Sequence, residues 1–391
     1  MHTSPPTSHT NTHASAYHVR FLSQNRPGPR MGMGHYERLL LQALMHSDAR
    51  AHGWQFDMRF AGRAPADFPQ AALAEMGLSA ATFLGYSPAR LASLPWPVAR
   101  TAITLSHRQP PPDLYHSLAL SYPAPAGRPA VYTIHDLPPA RFDDEGTLPR
   151  WAQQAAASAQ AIVTPSEFAR RELVELLGLS PAKVHVVPNG YEQEVFHAAV
   201  APAHADALAA HGLHSPFLLY AGGGTRRKNV AALLQAWRQV AAQHPRLSLA
   251  LAGPADLLQA LADASNAPRV VVTGYLERAA LPGILKAATA LVCPSIYEGF
   301  GLPPLEAMAL GVPVVGVQAG AIPEVTAGCA VLADDGTPDA LAHALRTLLG
   351  DDALAERLRQ CGPARAAHFS WPEHARRVLD IYRAVLGTSR A

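Results

Sequence analysis

Charged residues are scarce in this chain of 391 residues, and their signs nearly cancel. Asp, Glu, Lys and Arg make up 16% of the sequence, and 32 basic against 30 acidic residues leave a formal charge of +2. Such a chain has no broad basic surface for nucleic acid or an anionic membrane, although a local patch stays open. We therefore predict no nucleic-acid partner.

Cysteines and long apolar runs are also few. Cys293, Cys329 and Cys361 form neither a Cys-x-x-Cys pair nor a zinc spacing. We expect no disulfide framework, which favours a reducing compartment and a cytoplasmic location. The sequence has no run of about 18 apolar residues, so it predicts no transmembrane helix.

The first 16 residues lack the apolar segment of a secretory signal and consist largely of Thr, Ser, Pro and His. Their composition predicts a disordered tail at 1–16. Metal binding by His2, His9 and His13 is the alternative.

Apolar residues and proline are plentiful, at 49% of the chain and 35 positions respectively. Strand-like and helix-like segments alternate from Tyr17 onward, as in a parallel sheet covered by helices on both faces. The rhythm weakens near Glu192 and restarts after Ser215. We therefore predict two Rossmann-like domains at 17–198 and 215–371, a linker at 199–214 and a final helix at 372–391.

The most informative segment, CPSIYEGFGLPPLEAMALGVPVV, begins at Cys293. A strand, a loop with two glycines and a helix starting near Pro303 predict free backbone N–H groups that favour a phosphate. Glu298 and Glu306 would flank that position and accept hydrogen bonds from sugar hydroxyls. The pattern favours a nucleotide sugar as ligand. The alternative is a solvent-facing Glu298 and a Glu306 that only favours the helix dipole.

The same segment resembles the Glu-x7-Glu signature of retaining family 4 glycosyltransferases, which have the GT-B fold. Other segments resemble the family in the same order along the chain: MGMGHYERLLLQAL, VYTIHDL, IVTPSEFARREL, VHVVPNGYE, YAGGGTRRKNVAALLQAW and FSWPEHARRVLDIY. The resemblance covers nearly the whole chain after residue 16. It implies an α/β fold of two Rossmann-like domains facing a central cleft, with the last helix crossing back to the first domain.

The resemblance also implies a reaction and a set of catalytic residues. A sugar would pass from a nucleotide donor to an acceptor hydroxyl with retention of configuration. Glu298 would contact the donor sugar, Lys228 and Arg227 the leaving diphosphate, and His135 the donor sugar from the other domain. The alternative for Lys228 and Arg227 is a solvated basic turn. The alternative for His135 is a buried structural histidine. Asp136 is a weaker candidate.

Further positions are matched to donor binding, with the ribose assigned to Glu306 and the base to the segment after VVVTG. These candidates are Gly32, Gly34, Gly223, Tyr275, Leu276, Phe300, Gly301, Leu302 and Glu306. Gly223 stands where many family members carry an arginine, and Arg226 or Arg227 is a candidate replacement. Ser166, Asn189, Gly190 and Glu324 also match the family, and we expect structural roles for them.

The resemblance implies no cofactor and no metal, because the ordered part has neither a DxD triplet nor a histidine-rich motif. The expected partners are a nucleotide-sugar donor, with GDP-mannose as one option, and a glycan or lipid-linked glycan acceptor in cell-surface polysaccharide or glycolipid synthesis. A small basic face is expected to allow peripheral membrane contact, through Arg20, Arg26, Arg30 and Arg38. An epimerase or hydrolase, or a catalytically silent sugar-nucleotide-binding subunit, remains an alternative.

Overall fold

The structure is a computed structural model that describes residues 17–23, 33–49, 52–61, 78, 82–83, 93–106, 110–120 and 122–387. The tail predicted at 1–16 and the candidate Gly32 lie outside these residues. Within them, the chain forms two parallel sheets in succession, on either side of the linker predicted at 199–214. The proposed limits of the two domains and the linker stay predictions.

The first sheet has seven strands in the described residues, in the order β3-β2-β1-β4-β5-β6-β7. All neighbouring strands pair in parallel. Its strands β4, β5 and β6 are buried at every position, as expected for a parallel sheet covered on both faces. The strands are β1 (Tyr17–Ser23), β2 (Trp54–Phe60), β3 (Thr82–Phe83), β4 (Leu114–Ser117), β5 (Ala130–Thr133), β6 (Ala161–Thr164) and β7 (Val184–Val186).

The second sheet has six parallel strands in the order β10-β9-β8-β11-β12-β13. Chain order reverses between β8 and β11, which are neighbours, and the loops that follow these two strands therefore lie side by side. In open α/β sheets such a reversal forms the ligand crevice. The strands are β8 (Phe217–Ala221), β9 (Ser248–Ala252), β10 (Val270–Gly274), β11 (Ala290–Val292), β12 (Val314–Val317) and β13 (Val331–Ala333).

Helices connect the strands of both sheets. In the first part of the chain they are α1 (Met33–His46), α2 (Trp96–Ser106), α3 (Ala152–Ser158) and α4 (Glu167–Leu177), and α5 (Ala205–Ala209) lies between the sheets. In the second part they are α6 (Val230–Ala241), α7 (Ala255–Ser265), α8 (Leu281–Ala287), α9 (Leu302–Ala309), α10 (Ile322–Thr326), α11 (Pro338–Leu349), α12 (Asp352–Ala366) and α13 (Trp371–Leu386).

Helix α13 crosses back to the first sheet, as the resemblance implied. Its side-chain cap is Ser370, which accepts a hydrogen bond from the Glu373 N–H, and it ends at Gly387 in the left-handed conformation. Between these signals, Ala375, Val378 and Tyr382 form an apolar face that packs in the same core as α1 and β1. Burial of this face holds the two halves of the chain together.

A buried polar network accompanies this packing. The His116 Nδ1 and Tyr382 hydroxyl lie 2.5 Å apart, and the Tyr36 hydroxyl lies 3.0 Å from His374 Nε2. Thr133 Oγ1 joins the two pairs, at 2.8 Å from His116 and 3.3 Å from Tyr36. Burial lowers the pKa of His116 to about 3 and that of His374 to about 4, so both rings are neutral at pH 7.

One expectation from the sequence is wrong. Cys329 and Cys361 form a disulfide, with their Cα atoms 5.8 Å apart, although 32 residues separate them. Helix α12 packs on α9 and carries Cys361 to the turn that follows α10, a proximity that spacing along the chain does not reveal. Cys293 is free and buried. Among the described residues, no helix has both the length and the apolar character that a bilayer crossing needs.

The junction before α13 gives a stability prediction. A Cβ atom at Gly190 would overlap the backbone of Trp371 and lie 2.6 Å from the carbonyl carbon of Ser370. Because this obstacle is backbone, we expect Gly190→Ala to lower the free energy of unfolding by about 2 kcal/mol in denaturant titrations. At Gly223 a Cβ meets nothing within 4 Å, so Gly223→Ala is the matched control. Equal stability of the two variants would contradict this packing.

Candidate functional site

The candidate site lies between the two sheets, at the carboxyl ends of their strands. The loop after β5 carries His135 and Asp136, the loop after β8 carries Arg227 and Lys228, and the loop after β11 carries Glu298. Because β8 and β11 are hydrogen-bonded neighbours, residues 70 positions apart in sequence meet there. The structure thus brings together the residues that the sequence analysis proposed as catalytic.

Glu298 is mostly buried and is held by two cations. Lys228 Nζ donates a hydrogen bond to Glu298 Oε1 at 2.6 Å, and Arg227 Nη1 lies 3.4 Å from Oε2. Burial alone would raise the pKa of the Glu298 carboxyl, but the charges of Lys228 and Arg227 outweigh it and lower the pKa. The group is therefore an ionised acceptor at neutral pH. Its 13% exposure rules out the solvent-facing alternative for Glu298.

The loop after Glu298 needs glycine for close approach between the two domains. A Cβ at Gly299 would lie 2.7 Å from the His135 carbonyl oxygen and 2.8 Å from the Asp136 Cβ. The Gly299 carbonyl also accepts a hydrogen bond from the Ser166 hydroxyl at 2.7 Å. Gly301, with φ of 105°, precedes the first residue of α9 and sets its direction.

His135 and Asp136 face this loop from the first domain. The His135 ring meets the Tyr36 ring edge-on, with centroids 4.3 Å apart. Burial, with a further contribution from His374, lowers the pKa of His135 to about 4, so the imidazole is neutral at pH 7. Burial raises the pKa of Asp136 to about 6, against the opposing charge of Arg227.

A second cluster surrounds Glu306 at the other end of the loop-helix segment. Glu306 lies in the second turn of α9, and its Oε1 accepts a hydrogen bond from Arg278 at 2.8 Å. Arg278 also pairs with Glu192, which in turn contacts His35 at 3.3 Å and Arg38 at 3.1 Å. Sequence reasoning missed Arg278 and Glu192, because neither belongs to the glutamate motif. Their only signal was a place beside the segments VVVTGY and VPNGY.

An acidic turn at 143–145 is a further group that the sequence did not reveal. Glu145 accepts hydrogen bonds from the Thr225 hydroxyl and from Arg227 Nε, each at 2.6 Å. Asp143 pairs with Arg226 at 2.6 Å, and the Arg226 side chain is 69% exposed. Of the two arginines considered in place of the missing loop arginine, Arg227 therefore points to Glu298, and Arg226 points to the rim.

The other donor-binding candidates occupy varied positions. Tyr275 is 65% exposed, whereas Leu276 packs partly buried in the core of the second domain. Phe300 is buried against Phe369, with ring centroids 5.6 Å apart. Leu302 begins α9 and Gly34 is the second residue of α1. Gly223 accepts a hydrogen bond from the Tyr220 hydroxyl. Their roles in donor binding stay predictions.

The basic face expected to meet a membrane is not present at the described positions. Arg20 is 3% exposed and pairs with Asp57 at 2.8 Å. Arg38 is engaged by Glu192 inside the cleft. Arg26 and Arg30 lie outside the described residues. Arg20 and Arg38 are therefore both paired with carboxylates, Asp57 and Glu192.

No group of three or more His, Cys, Asp or Glu side chains in the described ranges is arranged to hold a metal ion. Metal independence stays a prediction from the resemblance. Among the described residues, the cations paired with Glu298 are Arg227 and Lys228.

Two family models match the chain. The model described as "Glycosyltransferase Family 4" matches residues 50–195, and the model described as "Glycosyl transferases group 1" matches residues 209–365. Alpha-maltose-1-phosphate synthase of Mycolicibacterium smegmatis is 34% identical over 288 residues, which are 66% of this chain and 74% of that protein. O-antigen chain mannosyltransferase B of Escherichia coli is 29% identical over 232 residues, 58% and 61% of the two chains.

Solved structures share the two-domain architecture. The structure of Anabaena Alr3699/HepE in complex with UDP-glucose superposes with a TM-score of 0.69 at 18% identity, covering 94% of this chain and 99% of the other. The similarity therefore extends over nearly the whole of both chains. It confirms the GT-B fold that the sequence resemblance implied.

The raised pKa of Asp136 gives a pH-dependent prediction. A carboxyl group whose pKa is about 6 when folded, against 3.8 as its ordinary value, favours folding at low pH and loses that contribution as the pH rises through 6. We expect Asp136→Asn to raise the free energy of unfolding at pH 8 by about 2 kcal/mol relative to the native chain. At pH 4 the two proteins should be nearly equal.

Denaturant titrations at the two pH values measure this difference. The exposed Asp256→Asn is the control, with the same chemical change at a solvated carboxylate. If Asp136→Asn raises the free energy of unfolding as much at pH 4 as at pH 8, burial of the charged carboxylate is not the cause of the increase.

Proposed function

The chain belongs to glycosyltransferase family 4, and from this premise we propose that it transfers a sugar from a nucleoside diphosphate to an acceptor hydroxyl with retention of anomeric configuration. The observation that carries the proposal is the buried Glu298 between Lys228 and Arg227. In this arrangement a carboxylate that can accept hydrogen bonds from sugar hydroxyls lies next to two cations, near the N-terminus of α9. A sugar joined to a diphosphate offers the complementary groups in the same order.

In the proposed mechanism, the second domain holds the donor and stabilises the leaving group. Charge develops on the diphosphate as the glycosidic bond breaks, and Lys228 and Arg227 are placed to stabilise it. Glu298 accepts hydrogen bonds from the donor sugar and fixes its orientation. The Arg227 and Lys228 charges and the helix end supply the electrostatic stabilisation, so the proposal assigns no role to a metal ion.

The first domain completes the cleft and carries the acceptor side. We propose a front-face displacement in which the departing phosphate oxygen takes the proton of the acceptor hydroxyl. The neutral His135 approaches the donor sugar without adding positive charge at the reacting carbon. Domain closure brings His135 against the Gly299 loop, which excludes water from the sugar.

The identities of donor and acceptor are proposals from relatives. A mannosyltransferase of O-antigen chains among the relatives supports GDP-mannose as a donor to test, and a fold neighbour with bound UDP-glucose supports UDP-glucose. We propose an acceptor on a glycan or lipid-linked glycan, in cell-surface polysaccharide or glycolipid synthesis. Maltose-1-phosphate synthase among the relatives adds a sugar phosphate as a product to look for.

The direct experiment has two stages. A panel of nucleotide sugars is screened by thermal shift, because a ligand that binds the folded state raises the melting temperature. Nucleoside diphosphate release is then followed with and without acceptors, and the anomeric configuration of the product is read by NMR. Acceptor-dependent release with retention supports the proposal. Release without acceptor indicates a hydrolase, and binding without any turnover indicates a silent subunit.

Variants at the ion pair test the assignment of residues. We expect Lys228→Ala and Glu298→Ala each to lower kcat/KM by about 10² to 10³, the usual effect of removing a group that stabilises developing charge or orients the substrate. Lys183→Ala is the matched control, since Lys183 directly precedes β7, at the amino end of the strand, and donates a hydrogen bond to the Ala157 carbonyl of α3. Full turnover by both cleft variants would make the site assignment wrong.

A further inference from the structure

We propose that Arg278 is a positioning residue that orients Glu306 toward the ribose hydroxyls of the donor, by bridging Glu306 to Glu192. The proposal rests on the donor site described above and adds to it a residue outside the glutamate motif. It concerns the nucleoside end of the donor rather than the reacting sugar.

Two carboxylates hold the same edge of the Arg278 guanidinium, because Nη2 donates to both Glu306 and Glu192. Its Nη2 donates to Glu306 Oε1 at 2.8 Å, and its Nε donates to Glu192 at 2.8 Å. The guanidinium also lies over the Phe196 ring, with its central carbon 4.5 Å from the ring centroid. A planar guanidinium held along one edge and on one face has a single orientation, which a lysine ammonium cannot reproduce.

This fixed guanidinium determines what Glu306 offers to a ligand. The Glu306 side chain is 8% exposed, and in the described part of the chain Arg278 at Oε1 is its hydrogen-bond partner. Oε2 is left to accept a hydrogen bond from a molecule in the cleft. Arg278 itself is engaged by two carboxylates, so its effect on a donor passes through Glu306.

The charges around Glu306 support the same role. Burial raises the pKa of the Glu306 carboxyl, and the charge of Arg278 opposes this most strongly. His35 on α1 also lowers the pKa of Glu306, and Glu192 raises it. Arg38 reaches this cluster through Glu192. Without Arg278, Glu306 would lose both its anchor and its main counter-charge.

The test compares ribose-containing and deoxyribose ligands. Dissociation constants of UDP, GDP and ADP, and of their 2′-deoxy and 3′-deoxy forms, are measured by calorimetry for the native chain and for Arg278→Met. In the native chain, loss of the ribose hydroxyl that donates a hydrogen bond to Glu306 should weaken binding about tenfold. In Arg278→Met the same loss should weaken binding only about twofold, because the acceptor is no longer oriented.

Two further variants separate positioning from general damage. Arg278→Lys keeps one positive charge near Glu306. In this variant, loss of the ribose hydroxyl should weaken binding about fivefold, and we call this loss of affinity the deoxy penalty. Arg38 pairs with Glu192 but not with Glu306, so Arg38→Met removes a different cation from the same cluster. The deoxy penalty of this variant should equal that of the native chain. Thermal unfolding of each variant checks that it folds, and Arg278→Lys decides the question if Arg278→Met does not fold.

The outcomes are distinct. An unchanged tenfold penalty in folded Arg278→Met, or in Arg278→Lys if Arg278→Met does not fold, would overturn the positioning role while leaving donor binding intact. A native penalty in Arg278→Lys combined with a lost penalty in Arg38→Met would overturn it as well. Failure of the native chain to bind UDP, GDP or ADP would overturn the proposed donor site and this role with it. A reduced penalty confined to the Arg278 variants supports the proposal.

Discussion

The ion pair between Lys228 and the buried Glu298 is the interaction on which the cleft depends. A carboxylate taken from water costs several kcal/mol unless it gains a close counter-charge and hydrogen bonds. Lys228 at 2.6 Å and Arg227 at 3.4 Å provide them. Both cations come from the turn after β8, so the pair forms only where β8 and β11 are neighbours. The ion pair in the cleft therefore depends on the order of the strands in the second sheet.

The first domain contributes to this site through polar contacts across the cleft. Ser166 donates to the Gly299 carbonyl, and the backbone N–H groups of Glu167 and Phe168 donate to Glu324, a residue for which sequence reasoning expected a structural role. Glu145 balances part of the Arg227 charge from the opposite side. Helix α13 adds the apolar contact that fixes the two halves. Closure of the cleft thus involves charge, hydrogen bonds and burial together.

Much of the fold and part of the site could be predicted from sequence. Local signals suffice for α13, where Ser370 and Gly387 mark its two ends, and for the strand-loop-helix segment that contains Glu298. The resemblance supplied Lys228 and Glu306. Arg278 and Glu145 could not be found in this way, because each meets its partners only after packing of segments that lie 28 to 86 residues apart.

The sequence by itself determined the period of strands and helices, the glycine loop and the residue types that can bind a sugar diphosphate, because backbone preference and side-chain chemistry are local properties. Tertiary structure alone decided which charges meet. It paired Glu306 with Arg278, turned Arg20 inward to Asp57 and joined Cys329 to Cys361. These outcomes depend on distances through space, and the energy of a charge or a thiol contact depends on that distance and on burial, which the order of residues does not specify.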